Sequence, residues 1–329
     1  MFGVGLDIGT MNIISSRKNE ADDLVVKRIR DAFLDLDLDA KKMLKLTKVS
    51  YIEYSDKIII VGDNALNTAN ILKKDARRPL SKGIISPSEI DAVEVLSVMI
   101  KQVLGKPQKK DEVCYYSVPA APVDDPTRDV IYHAKVFSRI VEDLGYKAIE
   151  SNEALAIIFS NCAEDGFSGL AFSYGSGMVN IALSYHTLMS MSCSISKGGD
   201  WIDTQAGKAL NLTASKMCSI KEKGINLLDP KDRTEEAISI YYKSLIEESI
   251  HNMVEQVNNL GDSEFPEAIP IILSGGTSQA QGFLELYKSI FKNYKDKLKL
   301  DISEIRMANN PLTSVSEGLL LQALQDSED

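Results

Sequence analysis

Cysteine, histidine, long apolar runs and positive charge are all in short supply in this 329-residue chain. Cys114, Cys162, Cys193 and Cys218 are scattered singly. They form no Cys-x-x-Cys pair, so a zinc site or dithiol redox motif is excluded and buried free thiols are expected. His133, His186 and His251 are equally isolated, and no Ser-His-Asp or metal-histidine arrangement follows from their spacing. No stretch approaches the ~18 uncharged apolar residues of a membrane span. The opening Met1-Phe2-Gly3-Val4-Gly5-Leu6-Asp7 reaches a charge too early for a secretory core. Ten prolines and twenty glycines are too few for a low-complexity chain. Only 37 basic residues stand against 47 acidic ones, and the net charge of −10 repels polyanions. A soluble, cytoplasmic protein with no direct nucleic-acid partner is expected.

Hydrophobic residues make up 44%, enough to fill a core in each of about two domains at ~100–200 residues per domain. Strand-like and helix-like segments alternate, which predicts α/β architecture with mainly parallel pairing. Val4 to Ile8 and Asn12 to Ser16 form a hairpin around a glycine turn. The β-branched runs Lys48 to Ile52 and Lys57 to Val61, with a helix near 63–74, belong to a small insertion. Helices are predicted over 87–104, with Ser88 as cap and Gly105 as stop, and over 126–144. Strands are predicted at 112–118, 147–149, 168–174, 178–184, 188–196 and 269–273. The stretch 202–260 is mainly helical, its Met and Tyr stripe reading as core. Both halves begin with a glycine-turn hairpin, which suggests an internal duplication.

Four glycine turns follow strands: Asp7-Ile8-Gly9-Thr10, Ser173-Tyr174-Gly175-Ser176-Gly177, Lys197-Gly198-Gly199-Asp200 and Ser274-Gly275-Gly276-Thr277-Ser278. Glycine there lets backbone N–H groups turn toward an anion, and a helix start or hydroxyl adds to the attraction for phosphate. The order of these turns resembles the actin, sugar-kinase and heat-shock-chaperone ATPase superfamily, and within it the bacterial MreB-like actins most closely. Arg78-Pro79-Leu80-Ser81-Lys82-Gly83, Val118-Pro119-Ala120, Asn152-Glu153-Ala154 and Asn310-Pro311-Leu312-Thr313 are similar to further segments of that family, so the resemblance covers essentially the whole chain.

The resemblance implies a two-lobed, duplicated fold with the nucleotide cleft between lobes. Lobe I would span 1–150 with a small inserted subdomain at about 34–77, and lobe II 151–329 with a helical insertion at about 204–262. It implies ATP or ADP with Mg²⁺ as cofactors. Asp7 would hold the metal's water shell. Gly9, Thr10, Met11 and Asn12 form the first phosphate turn, with Thr10 and Asn12 donating to the β- and γ-phosphates, and Gly175, Ser176 and Gly177 form the second. Glu153 would orient or activate the attacking water, and Asp7 and Glu153 together form the catalytic pair. Gly199 belongs to the third glycine motif. Gly275, Gly276 and Thr277 would flank the nucleoside, and Lys221 and Glu222 resemble the segment that contacts ribose and base. One departure stands out: Ser173 occupies the position where the family has an acid, which predicts slowed hydrolysis or altered metal dependence. Asp35, Asp37 and Asp39 alternate as in a calcium loop, but Ala40 and Leu46 stand where that loop needs glycine and glutamate. Leu34, Leu36 and Leu38 fit a subdomain edge or protomer contact instead.

The fold alone does not choose a function. The small insertion, and an ending soon after the core, favour a polymerising ATPase over a sugar kinase or a chaperone with a substrate domain. Self-association into a head-to-tail filament, with adaptor proteins as further partners, is the leading expectation. The alternative is a non-polymerising chaperone-like or scaffold nucleotide-binding protein. The hairpin starts almost at the N-terminus with only Phe2 before it, so no strong membrane binding is expected.

Overall fold

The computed structural model describes residues 2–261, 265 and 267–327. Met1, the expected end of the helical insertion at 262, and the terminal Glu328 and Asp329 lie outside the described residues. Two five-stranded sheets dominate, and their topologies repeat. In the first sheet Gly3–Ile8, Asn12–Lys18 and Leu24–Arg30 form an antiparallel meander; Val113–Val118 and Lys147–Asn152 extend it in parallel beyond Gly3–Ile8. In the second, Gly169–Tyr174, Val179–Tyr185 and Leu188–Ile195 form the meander, with Ile269–Ser274 and Ile302–Met307 parallel on the other side. The duplication read from two glycine-turn hairpins thus extends to strand order and direction.

Strands buried on both faces read as continuous apolar runs, as Gly169–Tyr174 and Ile269–Ser274 do. The second lobe's core gathers Phe172, Tyr174, Tyr242, Phe283 and Tyr287 between its sheet and the helices Arg233–Asn258 and Phe283–Phe291. The 202–260 stretch resolves into parts of Gly199–Leu210, Ala214–Glu222 and Arg233–Asn258, and Ile238, Leu245, Ile246, Ile250 and Met253 are buried as expected. Two helices start later than the sequence periodicity predicts. Ala92–Leu104 begins after the Pro87–Asp91 turn, not at 87, and Val130–Asp143 begins where the Asp129 carboxylate accepts the Ile131 N–H at 2.7 Å.

The small insertion is a three-stranded sheet, Phe33–Asp37, Ile52–Tyr54 and Lys57–Val61, covered by Lys41–Leu46 and Asp63–Leu72. Leu34 and Leu36 lie on an edge strand of this sheet, as expected, but their side chains are buried in its core rather than offered to another protomer; Leu38 alone of the three is exposed. Asp35 pairs with Arg77 at 2.7 Å, and no group of three or more His, Cys, Asp or Glu side chains is placed to share a metal ion among the described residues.

The two sheets are joined by a pair of central helices. Ser314–Gln325 crosses back onto Gly3–Ile8, Glu153–Asn161 packs under Gly169–Tyr174, and the two helices pack on each other. A Cβ on Gly5 would run into the Ser316 carbonyl and one on Gly318 into the Ala156 carbonyl, so glycine is what lets these elements approach.

Candidate functional site

Between the lobes lies a cleft of about 750 Å³. All of the residues singled out from the sequence line it except Gly199. The two hairpin turns enter from opposite sheets with the same local geometry. Gly9 N–H donates to Asn12 O at 3.0 Å, and Gly175 N–H donates to Met178 O at 3.0 Å. A side chain at either glycine would press on that same acceptor. The turns meet at the cleft floor: the Gly83 N–H donates to Thr10 Oγ1 at 3.0 Å, and a Cβ on Gly177 would strike that hydroxyl. Met11 borders the cleft, its carbonyl accepting the Asp31 N–H at 2.9 Å, and Asn12 opens the strand behind it.

Asp7 ends up on the first strand beside the turn because strand alternation sends it away from the apolar face carrying Leu6 and Ile8. Ser117 Oγ donates to Asp7 Oδ1 at 3.1 Å and accepts the Ile8 N–H at 2.8 Å. Burial, reinforced by the charge of Glu153 and opposed by the Ser117 bond, holds the Asp7 carboxyl well above the usual carboxylate range.

Glu153 opens the helix Glu153–Asn161, where Asn152 caps the N–H groups of Ala154 and Leu155. Both its carboxylate oxygens are held. Ser173 Oγ donates to Oε1 at 2.6 Å and Asn180 Nδ2 donates to Oε2 at 2.9 Å. Burial pushes Glu153 up to about 6, with the Ser173 bond pulling the other way. Ser173, expected from the resemblance to stand in for an acid, is a hydrogen-bond donor to the neighbouring carboxylate.

Ser176 in the second turn donates to Asp200 Oδ2 at 3.0 Å, and Arg78 from the first lobe reaches the same oxygen at 2.7 Å. Gly199 sits behind the cleft lining. Its N–H donates to Gly175 O at 3.0 Å, and a Cβ would lie 2.7 Å from Thr277 Oγ1 and 3.0 Å from Lys221 Nζ. Gly275, with φ of 95°, donates its N–H to Pro311 O at 2.8 Å. Gly276 starts the following short helical turn, and Thr277 Oγ1 donates to Gly175 O at 2.9 Å.

Lys221 and Glu222 line the cleft with their charges already engaged. Lys221 Nζ donates to Asp203 Oδ2 at 2.7 Å and Gly199 O at 2.9 Å, tying Ala214–Glu222 to Gly199–Leu210. Glu222 pairs with Arg30 at 2.6 Å across the cleft mouth. Ser117, Asn180, Arg30 and Tyr242 were not singled out from the sequence. None carries a local motif, and they reach the site only through pairing of distant strands and helices.

Two duplicated α/β lobes closing on a cleft with paired glycine hairpins define the actin-like ATPase fold. The sequence model of the Volactin family matches residues 2–323, and the chain belongs to that family. A MamK double helical filament structure aligns over 100% of this chain and 99% of that chain, at 16% identity and a TM-score of 0.74. MreB5 of Spiroplasma citri bound to AMPPNP aligns over 99% and 96%, at 15% identity and 0.67. The ethanolamine utilization protein EutJ from Carboxydothermus hydrogenoformans aligns over 98% and 90%, at 14% identity and 0.57. Identities this low speak to the fold. None of the curated proteins compared matches the chain in sequence. Among the described residues no helix is long and apolar enough to cross a membrane.

Proposed function

We propose that the chain is an actin-like cytoskeletal protein that binds ATP with Mg²⁺ in the interlobe cleft, hydrolyses it, and polymerises head to tail. The observation that carries this reading is the convergence of two glycine hairpins and two half-buried carboxylates, Asp7 and Glu153, on one cleft. The turns offer backbone and hydroxyl groups to a triphosphate. Ile225, Tyr242 and Leu312 give the cleft an apolar part suited to a nucleobase.

The donor set fits a hydrated Mg²⁺. Asp7 and Glu153 are hard oxygen ligands whose mutual repulsion a divalent cation would relieve, and Mg²⁺ keeps several waters and binds through few carboxylates. When bound it would neutralise phosphate charge. Asp7, oriented by Ser117, would take the metal's water shell. Glu153, held at both oxygens, would orient the attacking water and accept its proton. Serine at 173 in place of an acid accords with slow turnover. MamK and MreB5 are recorded as a filament and as a nucleotide complex respectively, and this supports the same assignment here. Hydrolysis would weaken the contacts between protomers, and adaptor proteins would bind the assembled form.

Glu153→Ala tests the site. Binding of ATP, followed by calorimetry, should persist while phosphate release falls by ~100-fold or more. Persisting hydrolysis would show that Glu153 is not the water-orienting group.

A further inference from the structure

Asn180 is fully buried on the second strand of the second sheet, directly opposite Ser173 in the ladder. Its amide is used at both ends. Nδ2 donates to Glu153 Oε2 at 2.9 Å, and Oδ1 accepts the Ala120 N–H at 3.1 Å. A carboxylate demands a donor and a backbone N–H demands an acceptor, so the two partners fix the orientation of the amide. Ala120 belongs to the first lobe, three residues after Ser117, which holds Asp7. From there the chain runs along the edge of the second sheet and is stitched to it. Ser194 Oγ donates to Ala120 O at 2.7 Å, Val123 N–H donates to Ser194 O at 2.9 Å, and Ser196 N–H donates to Asp124 Oδ1 at 2.8 Å. One short crossing segment therefore touches both carboxylates of the site, Asp7 through Ser117 and Glu153 through Asn180.

We infer that Asn180 is a positioning residue whose amide, its orientation fixed by the Ala120 N–H, sets the Oε2 oxygen of the Glu153 carboxylate. The inference rests on the proposed ATPase role of Glu153. Asn180 does not line the cleft and acts through Glu153, which does. Ala120 is itself held by Ser194 of the second sheet, so the acceptor end of the amide is anchored and the donor end is left aimed at Glu153. Ser173, bonded to the other oxygen, sits wholly within the second lobe and serves as the fixed end of the clamp.

The test compares Asn180→Asp, Asn180→Leu and the smaller Asn180→Ser. Asn180→Asp keeps the acceptor for Ala120 but turns an oxygen toward Glu153. Its kcat should fall by about tenfold or more while KM for ATP changes less than about twofold. An unchanged kcat, or equal changes in kcat and KM, would overturn the inference. Isotope-edited infrared spectra supply a readout that needs no turnover. The Glu153 carboxylate stretch, identified by its loss in Glu153→Gln, should shift in Asn180→Leu and Asn180→Ser, and an unshifted band overturns the inference. A shifted band in a protein that hydrolyses no ATP would refute the ATPase reading and leave the positioning role standing.

Discussion

Ser173 shows how one side chain acquires opposing effects from its surroundings. The family pattern predicts that Ser173→Asp speeds hydrolysis by restoring an acid near the metal's water shell. The 2.6 Å bond from Ser173 to Glu153 adds a cost, because a carboxylate there repels Glu153 and keeps its proton on. Glu153 must be charged to accept a proton, so wild-type turnover should rise as pH increases through about 6. Ser173→Asp should shift that rise to higher pH, leaving the variant slower than wild type in acid and faster in alkaline solution with Mg²⁺. Ser173→Ala removes the donor alone and should move the rise up by about one unit with no alkaline gain. A full pH–rate profile of the three proteins checks this. An unchanged or lower alkaline rate in well-folded Ser173→Asp would sink the restored-acid idea.

Among the secondary-structure elements, the central helix pair carries the most constraint. Gly318 lets Ser314–Gln325 rest on Glu153–Asn161, the helix that presents Glu153, with the Ala156 carbonyl where a Cβ would be. Gly318→Ala should cost about 3 kcal/mol from overpacking, outweighing the ~1 kcal/mol that alanine gains as a helix former. Urea unfolding measures the difference, and an unchanged or raised midpoint would contradict the packing described. The hairpins, most strand positions and most helices were legible in the sequence because glycine turns, β-branched runs and apolar periodicity are local signals. The expected mainly parallel pairing was not met: each five-stranded sheet holds two parallel and two antiparallel pairings. Helix starts were less so: Asp129 outcompetes Pro126 as a boundary through a capping bond that periodicity does not reveal. In the site, Asp7 and Glu153 stood out by motif. Asn180 and Ser117 did not, since their importance comes from hydrogen bonds spanning 27 and 110 positions. Lys221 was noticed for its segment, whereas its buried partner Asp203 is set by how two helices pack.

At the scale of the whole molecule, two ion pairs among the described residues span the cleft: Arg30 with Glu222 at its mouth and Arg78 with Asp200 behind the second turn. The second pair joins Ser176 to the first lobe, so a phosphate bound at that turn would favour closure. Removing it with Arg78→Ala should cost about 1 kcal/mol of closed state and release nucleotide about fivefold faster, measured by displacement of a fluorescent ATP analogue. Equal release rates would assign closure to other contacts. The net charge of −10 bears on assembly as well. Copies of an acidic chain repel one another, and added salt or Mg²⁺ should lower the concentration needed for polymer unless the contacting faces are complementary in charge. Sedimentation of the purified protein, with electron microscopy of the pellet, tests the central claim most directly. With ATP and Mg²⁺ the account predicts pelletable filaments above a critical concentration, and fewer after hydrolysis or with ADP. No sedimentable polymer over a wide range of protein and salt concentrations would contradict it.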